Sequence, residues 1–205
     1  MPNKLADNVI KRLTLYHFIL DDYEAQGLEY ISSPQIAELL GIDDSLVRKD
    51  IKLVNNCGKC KIGYEIKPLK ACIEHTLGFR KIKDAVIVGA GNLGSALMRY
   101  DDLEQYGFNI VALFDNDSSK VGQSINSRKI YHISEITDVL QENQIKIGIL
   151  TVPKGVAQEC TDILVQAGIK YIWNFTPRVL NVPKDVRVWN ENLIGNLLSA
   201  WADES

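Results

Sequence analysis

Val86-Ile87-Val88-Gly89-Ala90-Gly91-Asn92-Leu93-Gly94 constrains this chain more tightly than any other stretch. Three β-formers run into Gly-x-Gly-x-x-Gly, and Ser95-Ala96-Leu97-Met98-Arg99-Tyr100 then reads as helix. That is the strand–turn–helix setting in which the pattern carries meaning. Gly89 permits a tight turn, Gly91 lets backbone approach a pyrophosphate, and Gly94 lets the helix pack close to the strand. With Ala90, Asn92 and Leu93 they form a loop whose N–H groups, at the start of the helix, are available to phosphate. A second strand over Asn109-Ile110-Val111-Ala112-Leu113-Phe114 ends at Asp115, 21 positions after Gly94, with Asn116 next. A carboxylate there accepts from both ribose hydroxyls of an adenosine and repels a 2′-phosphate, so NAD(H) is expected rather than NADP(H). The bland alternative is a glycine turn that binds nothing.

From Ala85 onward, strand and helix alternate. Strands are expected at 85–89, 109–114, 128–131, 146–151 and 169–173, and helices at 92–100, 134–143 and 154–167. That pattern builds a small parallel α/β domain of the Rossmann kind, with ligand contacts at the carboxyl ends of its strands. The fourth strand ends at Thr151-Val152-Pro153, whose backbone can flank a dinucleotide. The fifth ends in Asn174-Phe175-Thr176-Pro177, within reach of a nicotinamide. Either could equally be a structural turn. No catalytic set accompanies them, and the residues after the first domain suffice for one minimal dinucleotide fold without a substrate domain. The cofactor is expected to be read, not used. A small NAD-dependent oxidoreductase is the rival from another class.

The first eighty residues have a different character. Val9, Leu13, Tyr16, Phe18, Ile19, Leu20 and Tyr23 fall close to helical spacing up to Gly27. Ser33 then reads as an N-cap with Pro34 at the first helical position, and Ile36, Leu39 and Leu40 face a core before Gly41 turns the chain. Asp43 or Asp44 caps the next helix, through Val54. Its apolar side is Leu46, Val47, Ile51 and Val54, while Ser45, Arg48, Lys49 and Lys52 point away. Two short helices across a glycine turn, the second with a basic face, describe a helix-turn-helix whose polar face enters the major groove. A solvated helix face is the alternative. Residues 55–66 combine turn chemistry with the alternating Ile62/Tyr64/Ile66, a hairpin suited to be the wing of a winged helix, with Lys59 and Lys61 at its tip; Lys59, Lys61 and Tyr64 are its candidate DNA contacts. Pro68 opens a helix over 69–77.

Charge supports this. The whole chain carries −3, which argues against nucleic acid, but residues 42–70 carry seven Lys/Arg against four Asp/Glu, whereas residues 1–41 carry three against six. Such a basic island is an electrostatic footprint for DNA. The 205 residues hold no apolar run near the ~18 of a membrane span. Met1-Pro2-Asn3-Lys4 opens no signal peptide, so a cytoplasmic protein with no membrane partner and reduced thiols is expected. Cys57-x-x-Cys60 and Cys72-x-x-His75 have the spacing of a Cys3His zinc site, and Lys59 and Lys61 would activate a dithiol. Ordinary cysteines, and no metal, remain the favoured reading. The last stretch, 190–201, reads as a helix with Leu193, Leu197, Leu198 and Trp201 on one side. Readers of paired half-sites are two-fold symmetric, so a homodimer that exchanges this helix is expected.

Several runs together carry a resemblance. They are Arg12-Leu13-x-x-Tyr16, Ser32-Ser33, Val47-Arg48-Lys49-Asp50, Gly58-Lys59, Gly63-Tyr64 and the Val88–Gly94 motif. Phe114-Asp115-x-Asp117, Val121-Gly122, Val152-Pro153, Ala167-Gly168-Ile169-Lys170, Asn174-Phe175-x-Pro177 and Asn181-Val182-Pro183 follow. With them the chain resembles, over nearly its whole length, the Rex family of redox-sensing transcriptional repressors. The resemblance implies a winged helix over 1–78, a linker at 79–84, an NAD(H)-binding Rossmann domain over 85–189 and a swapped helix over 190–205. It implies that NADH releases the homodimer from a palindromic operator and that NAD+ competes. A regulator that binds NAD constitutively, or another adenine nucleotide, is the alternative. Two departures are visible. The family's aromatic run into the wing is here Lys52-Leu53-Val54-Asn55-Asn56-Cys57-Gly58-Lys59. Its Asn-x-Asp, whose acid joins a network with an arginine like Arg12 and a tyrosine like Tyr100, is here Asn190-Glu191-Asn192. Losing that acid weakens a charge-assisted bond to Arg12.

Overall fold

The computed structural model describes residues 5–54, 58–59 and 63–202 and has two compact units, Met1–Lys81 and Ile82–Ser205.

In the first unit, α1 (Asp7–Ala25) turns Leu13, Tyr16, His17 and Leu20 inward at helical spacing. After β1 (Tyr30–Ile31) comes α2 (Ser33–Leu40). Its N-cap is Ser32, not Ser33. Gln35 stands three residues after Ser32, so the Ser32 hydroxyl accepts the Gln35 N–H while the Gln35 side chain takes the Ser32 N–H at 2.8 Å. Ser33 and Pro34 then fill the first two helical positions. Leu39, expected in the core, is 55% exposed. Gly41 ends α2 in the left-handed region, and Asp43 caps α3 (Asp44–Val54) by accepting the Ser45 N–H at 2.7 Å. Next come β2 (Gly58–Lys59), β3 (Gly63–Glu65) and α4 (Ile66–Leu77), which starts two residues before Pro68. Pro68 lies in its first turn, where no N–H is missed.

The small sheet has the order β1-β3-β2, antiparallel throughout. Gly63 explains how β3 reaches β1. Its φ is +107°, and a Cβ there would stand 2.7 Å from the Ile31 carbonyl oxygen. Leu13, Tyr16, Leu20, Ile36, Val47, Ile51, Ile66, Leu69 and Ile73 form one core beneath these elements.

The second unit runs β4 (Lys83–Val88), α5 (Asn92–Met98), α6 (Asp102–Gln105), β5 (Phe108–Asp115), β6 (Ser124–Ile125), β7 (Arg128–His132) and α7 (Ile136–Asn143). It continues with β8 (Ile147–Leu150), α8 (Ala157–Gln166), β9 (Tyr171–Asn174), β10 (Arg187–Asn190) and α9 (Leu193–Ala202). The sheet order is β10-β9-β8-β4-β5-β7-β6, parallel except for the β6–β7 hairpin. Alternation gives it two apolar faces. Val86, Val88, Ala112, Phe114, Leu150 and Ile172 share a core with α7 and α8. Ala85, Ile87, Ile110, Leu113 and Ile149 share one with Met98 of α5. From β4 the chain builds outward through β5 and β7, then returns to β8 on the other side of β4. That reversal opens the crevice in which such sheets bind ligands. β10 had no counterpart in the sequence reading, and the last helix begins at Leu193, not at 190.

Candidate functional site

The turn after β4 is locked from below. Gly89 has φ +103°, and a Cβ on it would meet the Thr151 carbonyl oxygen at 2.8 Å. The Thr151 hydroxyl lies within donating distance of the carbonyls of Gly89 at 2.8 Å and Val88 at 3.1 Å. A Cβ on Gly94 would collide with the Gly89 carbonyl oxygen. These two glycines are demanded by the fold. Gly91 is different: nothing lies within 4 Å of where its Cβ would be. The protein leaves that space open at the head of α5, where Gly91 is the N-cap and no side chain caps the helix. The first-turn N–H groups of a helix have no intrahelical acceptor, and here they border the open space. Asn92 and Leu93 are exposed beside it.

Asp115, at the carboxyl end of β5, closes one flank. Its Oδ2 accepts the Ala90 N–H at 2.8 Å and the Lys120 ammonium at 3.1 Å, and its Oδ1 accepts the Asp117 N–H at 2.9 Å. Its side chain is only 9% exposed. Burial works to raise its pKa, but the Asp117 and Ala90 N–H groups and Lys120 together hold it below the ordinary carboxylate value. The acid is thus fixed as an anion against the glycine turn, with Oδ1 holding one protein hydrogen bond and a lone pair to spare. Sequence reasoning missed Lys120, five residues further on in a turn. Asn116 is exposed at the same edge.

On the other flank, Val152 lies against the turn, its Cγ1 3.0 Å from the position of a Gly89 Cβ, and Pro153 is exposed. Asn174 is brought to this edge but not offered to a ligand. It is fully buried. Its Nδ2 donates to the Arg178 carbonyl at 2.9 Å and to Asn190 Oδ1 at 2.8 Å, and its Oδ1 accepts from the Thr176 N–H at 2.9 Å and hydroxyl at 2.7 Å. All four valences of the amide are spent, so Asn174 organises the turn that carries Phe175 to the crevice. Tyr100 is not gathered with these residues. It follows the far end of α5, about 10 Å along the helix from the glycine turn, more than half exposed, with its hydroxyl bonded to Asp102, which raises its pKa.

In the first unit Arg48, Lys49 and Lys52 are exposed on one side of α3 and Ser45 is half-buried, while Val47, Ile51 and Val54 are buried opposite. Arg48 is paired with Asp44, Nη2 to Oδ1 at 3.0 Å, and reaches Ser33 Oγ at 3.5 Å. Its pKa is raised, first by that bond to Asp44. Tyr64 is half-buried in β3 and packs on the core beneath. Lys61, Cys57, Cys60 and Ile62 lie outside the described residues, and of Lys59 only the backbone in β2 is described. Asp50, which the sequence reading placed on neither face of α3, belongs to the buried side. It is 2% exposed and accepts a fork from Arg12, Nε to Oδ2 at 2.6 Å and Nη2 to Oδ1 at 2.9 Å, with the Tyr16 hydroxyl at 2.9 Å. Arg12 is therefore committed within its own domain. Cys72 is disulfide-bonded, where reduced thiols were expected; Cys57 and Cys60, the other cysteines of the candidate zinc set, lie outside the described residues. No group of metal-ligating side chains occurs among the described residues, and no helix among them is long and apolar enough to cross a membrane.

Comparison with known proteins places both units. Residues 80–178 match the family model "CoA binding domain", and residues 4–51 match "Putative DNA-binding protein N-terminus". The chain is 39% identical over 194 residues to the redox-sensing transcriptional repressor Rex of Bacteroides thetaiotaomicron, covering 95% of this chain and 88% of that one. It is 40% identical over 197 residues to the same repressor of Carboxydothermus hydrogenoformans, covering 95% and 93%. Among solved structures it is similar to RSP, a Rex-family repressor, at 35% identity. RSP in complex with β-NAD+ and operator DNA gives a TM-score of 0.90 over 98% of this chain and 93% of that one. RSP with β-NADH gives 0.88 over 98% and 94%.

Proposed function

The chain belongs to the Rex family of redox-sensing transcriptional repressors, and from that membership we propose that it is a homodimeric repressor whose hold on a palindromic operator is set by the NADH/NAD+ ratio. The observation that carries this reading is the glycine turn closed on an anionic Asp115 in a chain that also bears an exposed basic helix. The open space at Gly91 takes a pyrophosphate, and Gly89, Ala90, Asn92, Leu93 and Gly94 shape its cradle. Asp115, with Asn116 beside it, takes the adenosine ribose, and Val152 and Pro153 flank the other half. Ser45, Arg48, Lys49 and Lys52, with Lys59 and Lys61 of the wing, take the DNA. Residues 1–78 are the DNA-binding part, 79–82 the connection, 83–190 (β4 to β10) the NAD(H) domain, and the C-terminal segment that carries α9 is exchanged with a second copy. The protein works in the cytoplasm, reads its cofactor and does not turn it over.

NADH acts only through its differential affinity for the DNA-bound and released arrangements. The test is fluorescence anisotropy on a labelled palindromic operator at fixed salt, titrated with NADH and then NAD+. Release by NADH, opposed by NAD+, supports the reading, and indifference to both overturns it. Asp115→Ala should weaken NADH binding at least about tenfold, a loss of about 1.4 kcal/mol.

A further inference from the structure

The residue one step before the departure at Asn192 is held in a specific place. Glu191 follows β10 directly. Its N–H donates to the Asn174 carbonyl at 2.8 Å, and its Oε1 accepts the Trp173 indole N–H at 2.9 Å. It is therefore not part of the helix expected from 190, but a carboxylate pinned by β9 at the carboxyl edge of the sheet. Trp173 packs with Phe175, ring centroids 4.6 Å apart, and both belong to the same apolar cluster as Ala90 of the glycine turn.

The strand order fixes which end of a dinucleotide meets this group. With the phosphates over β4 and the adenosine ribose at Asp115 on β5, the other half must run the opposite way, over β8 and β9. Strands are about 4.8 Å apart, so β9 lies about 10 Å from β4, a span an extended dinucleotide covers. The segments that follow β8, β9 and β10 (151–156, 175–186 and 191–192) contain two carboxylates, Asp185 and Glu191, and three cations, Lys154, Arg178 and Lys184. Lys184 and Asp185 lead into the start of β10, at the amino edge of the sheet, where Asp185 accepts from Lys170 at 2.6 Å, which leaves Glu191 as the carboxylate at the carboxyl edge. Arg178 donates to the Lys154 carbonyl at 3.4 Å, and that loop goes on to Leu180 and Val182, which pack on the α7–α8 face. Glu191 stands on the opposite face, with Trp173 and Phe175.

We propose that Glu191 sets the chain's preference between the two redox states of the cofactor. Its carboxylate, oriented by Trp173, favours the positively charged pyridinium of NAD+ over the neutral dihydropyridine of NADH. The inference rests on the reading that Gly89–Gly94 and Asp115 hold NAD(H). Both redox forms make the same contacts through their phosphates and adenosine, so only a group at the ring can discriminate between them by charge. A carboxylate here strengthens NAD+ as competitor, and so raises the NADH level at which the operator is released.

Isothermal titration of the full-length protein with each cofactor tests this. Glu191→Gln should weaken NAD+ binding about tenfold and leave NADH binding within about twofold. With NAD+ present, its operator should be released at correspondingly lower NADH. Trp173→Phe, which keeps an aromatic ring but removes the donor, should shift the ratio in the same direction by less. Retained NADH binding reports that each variant is folded. An unchanged NAD+/NADH affinity ratio in Glu191→Gln, or equal loss of both ligands, overturns the inference while the cofactor reading stands. Binding of neither cofactor by the parent protein overturns the cofactor reading and the inference with it.

Discussion

Gly91 and Gly94 are identical in the motif and opposite in their surroundings. At Gly94 the protein itself excludes a side chain, because the Gly89 carbonyl occupies the position. Gly94→Ala should therefore lower stability by about 2–3 kcal/mol or more, as overpacking against backbone does. At Gly91 the protein excludes nothing, and the extended φ of −79° and ψ of −165° suit alanine. Gly91→Ala should leave the thermal midpoint nearly unchanged and cut NADH affinity at least about tenfold. Thermal unfolding and calorimetry on the two variants check both halves. A Gly91→Ala protein that binds NADH normally would show that the open space is not the phosphate cradle. The sequence made the turn legible because its glycines, flanking strand and terminal acid are all local. Asn174 was illegible for the opposite reason. An asparagine at a strand end looks available to a ligand until Arg178, Thr176 and Asn190 are seen to use all of its hydrogen bonds.

At the scale of an element, α3 has two jobs on two faces. Periodicity assigned Val47, Ile51 and Val54 to the core, and the structure agrees. It could not assign Asp50, since an aspartate amid Arg48, Lys49 and Lys52 reads as surface and its partner is 38 residues away. The fork from Arg12 and the Tyr16 hydroxyl instead bolt the inner face of α3 to α1. Removing one partner of a buried ion pair strands the other, so Asp50→Ala should cost about 3–5 kcal/mol. Lys49→Ala should cost almost nothing in stability, yet reduce the salt slope of operator binding by about one if that lysine meets a phosphate. Urea denaturation for the first and anisotropy over a salt series for the second separate the two faces. An unaltered slope would remove Lys49 from the interface. β10 stayed hidden because its four residues, Arg187-Val188-Trp189-Asn190, are mostly exposed at the sheet edge. A strand without a buried alternate face gives no period-two signal, and only its pairing with β9 defines it.

At the scale of the molecule, the last helix is the feature a single chain does not account for. Ile194, Leu197, Leu198 and Trp201 of α9 are 68%, 73%, 61% and 70% exposed. Apolar residues grouped on one helix to this degree mark an interaction surface, and on the proposed reading a second copy of the chain covers it, which would give two-fold symmetry for a palindrome. The number of sites then matters to the switch. Moving an equilibrium from 1:99 to 99:1 takes a differential affinity of about 10⁴. Two equivalent sites multiply, so each needs only about 100-fold, whereas one site alone would need the whole factor. Trp201→Glu puts a charge into that surface and should weaken self-association at least about 100-fold, about 2.7 kcal/mol. Light scattering would then find a monomer. It should still bind NADH by calorimetry, because α9 contributes none of the turn or Asp115. It should bind the operator about 100-fold or more weakly, since the second half-site no longer binds as part of one body, and NADH should change that residual binding little. A variant that remains dimeric would show that α9 is covered by something other than a second copy. A monomer that still lets go of DNA on adding NADH would show that one site suffices, and that the discrimination within it is far steeper than two-fold symmetry requires.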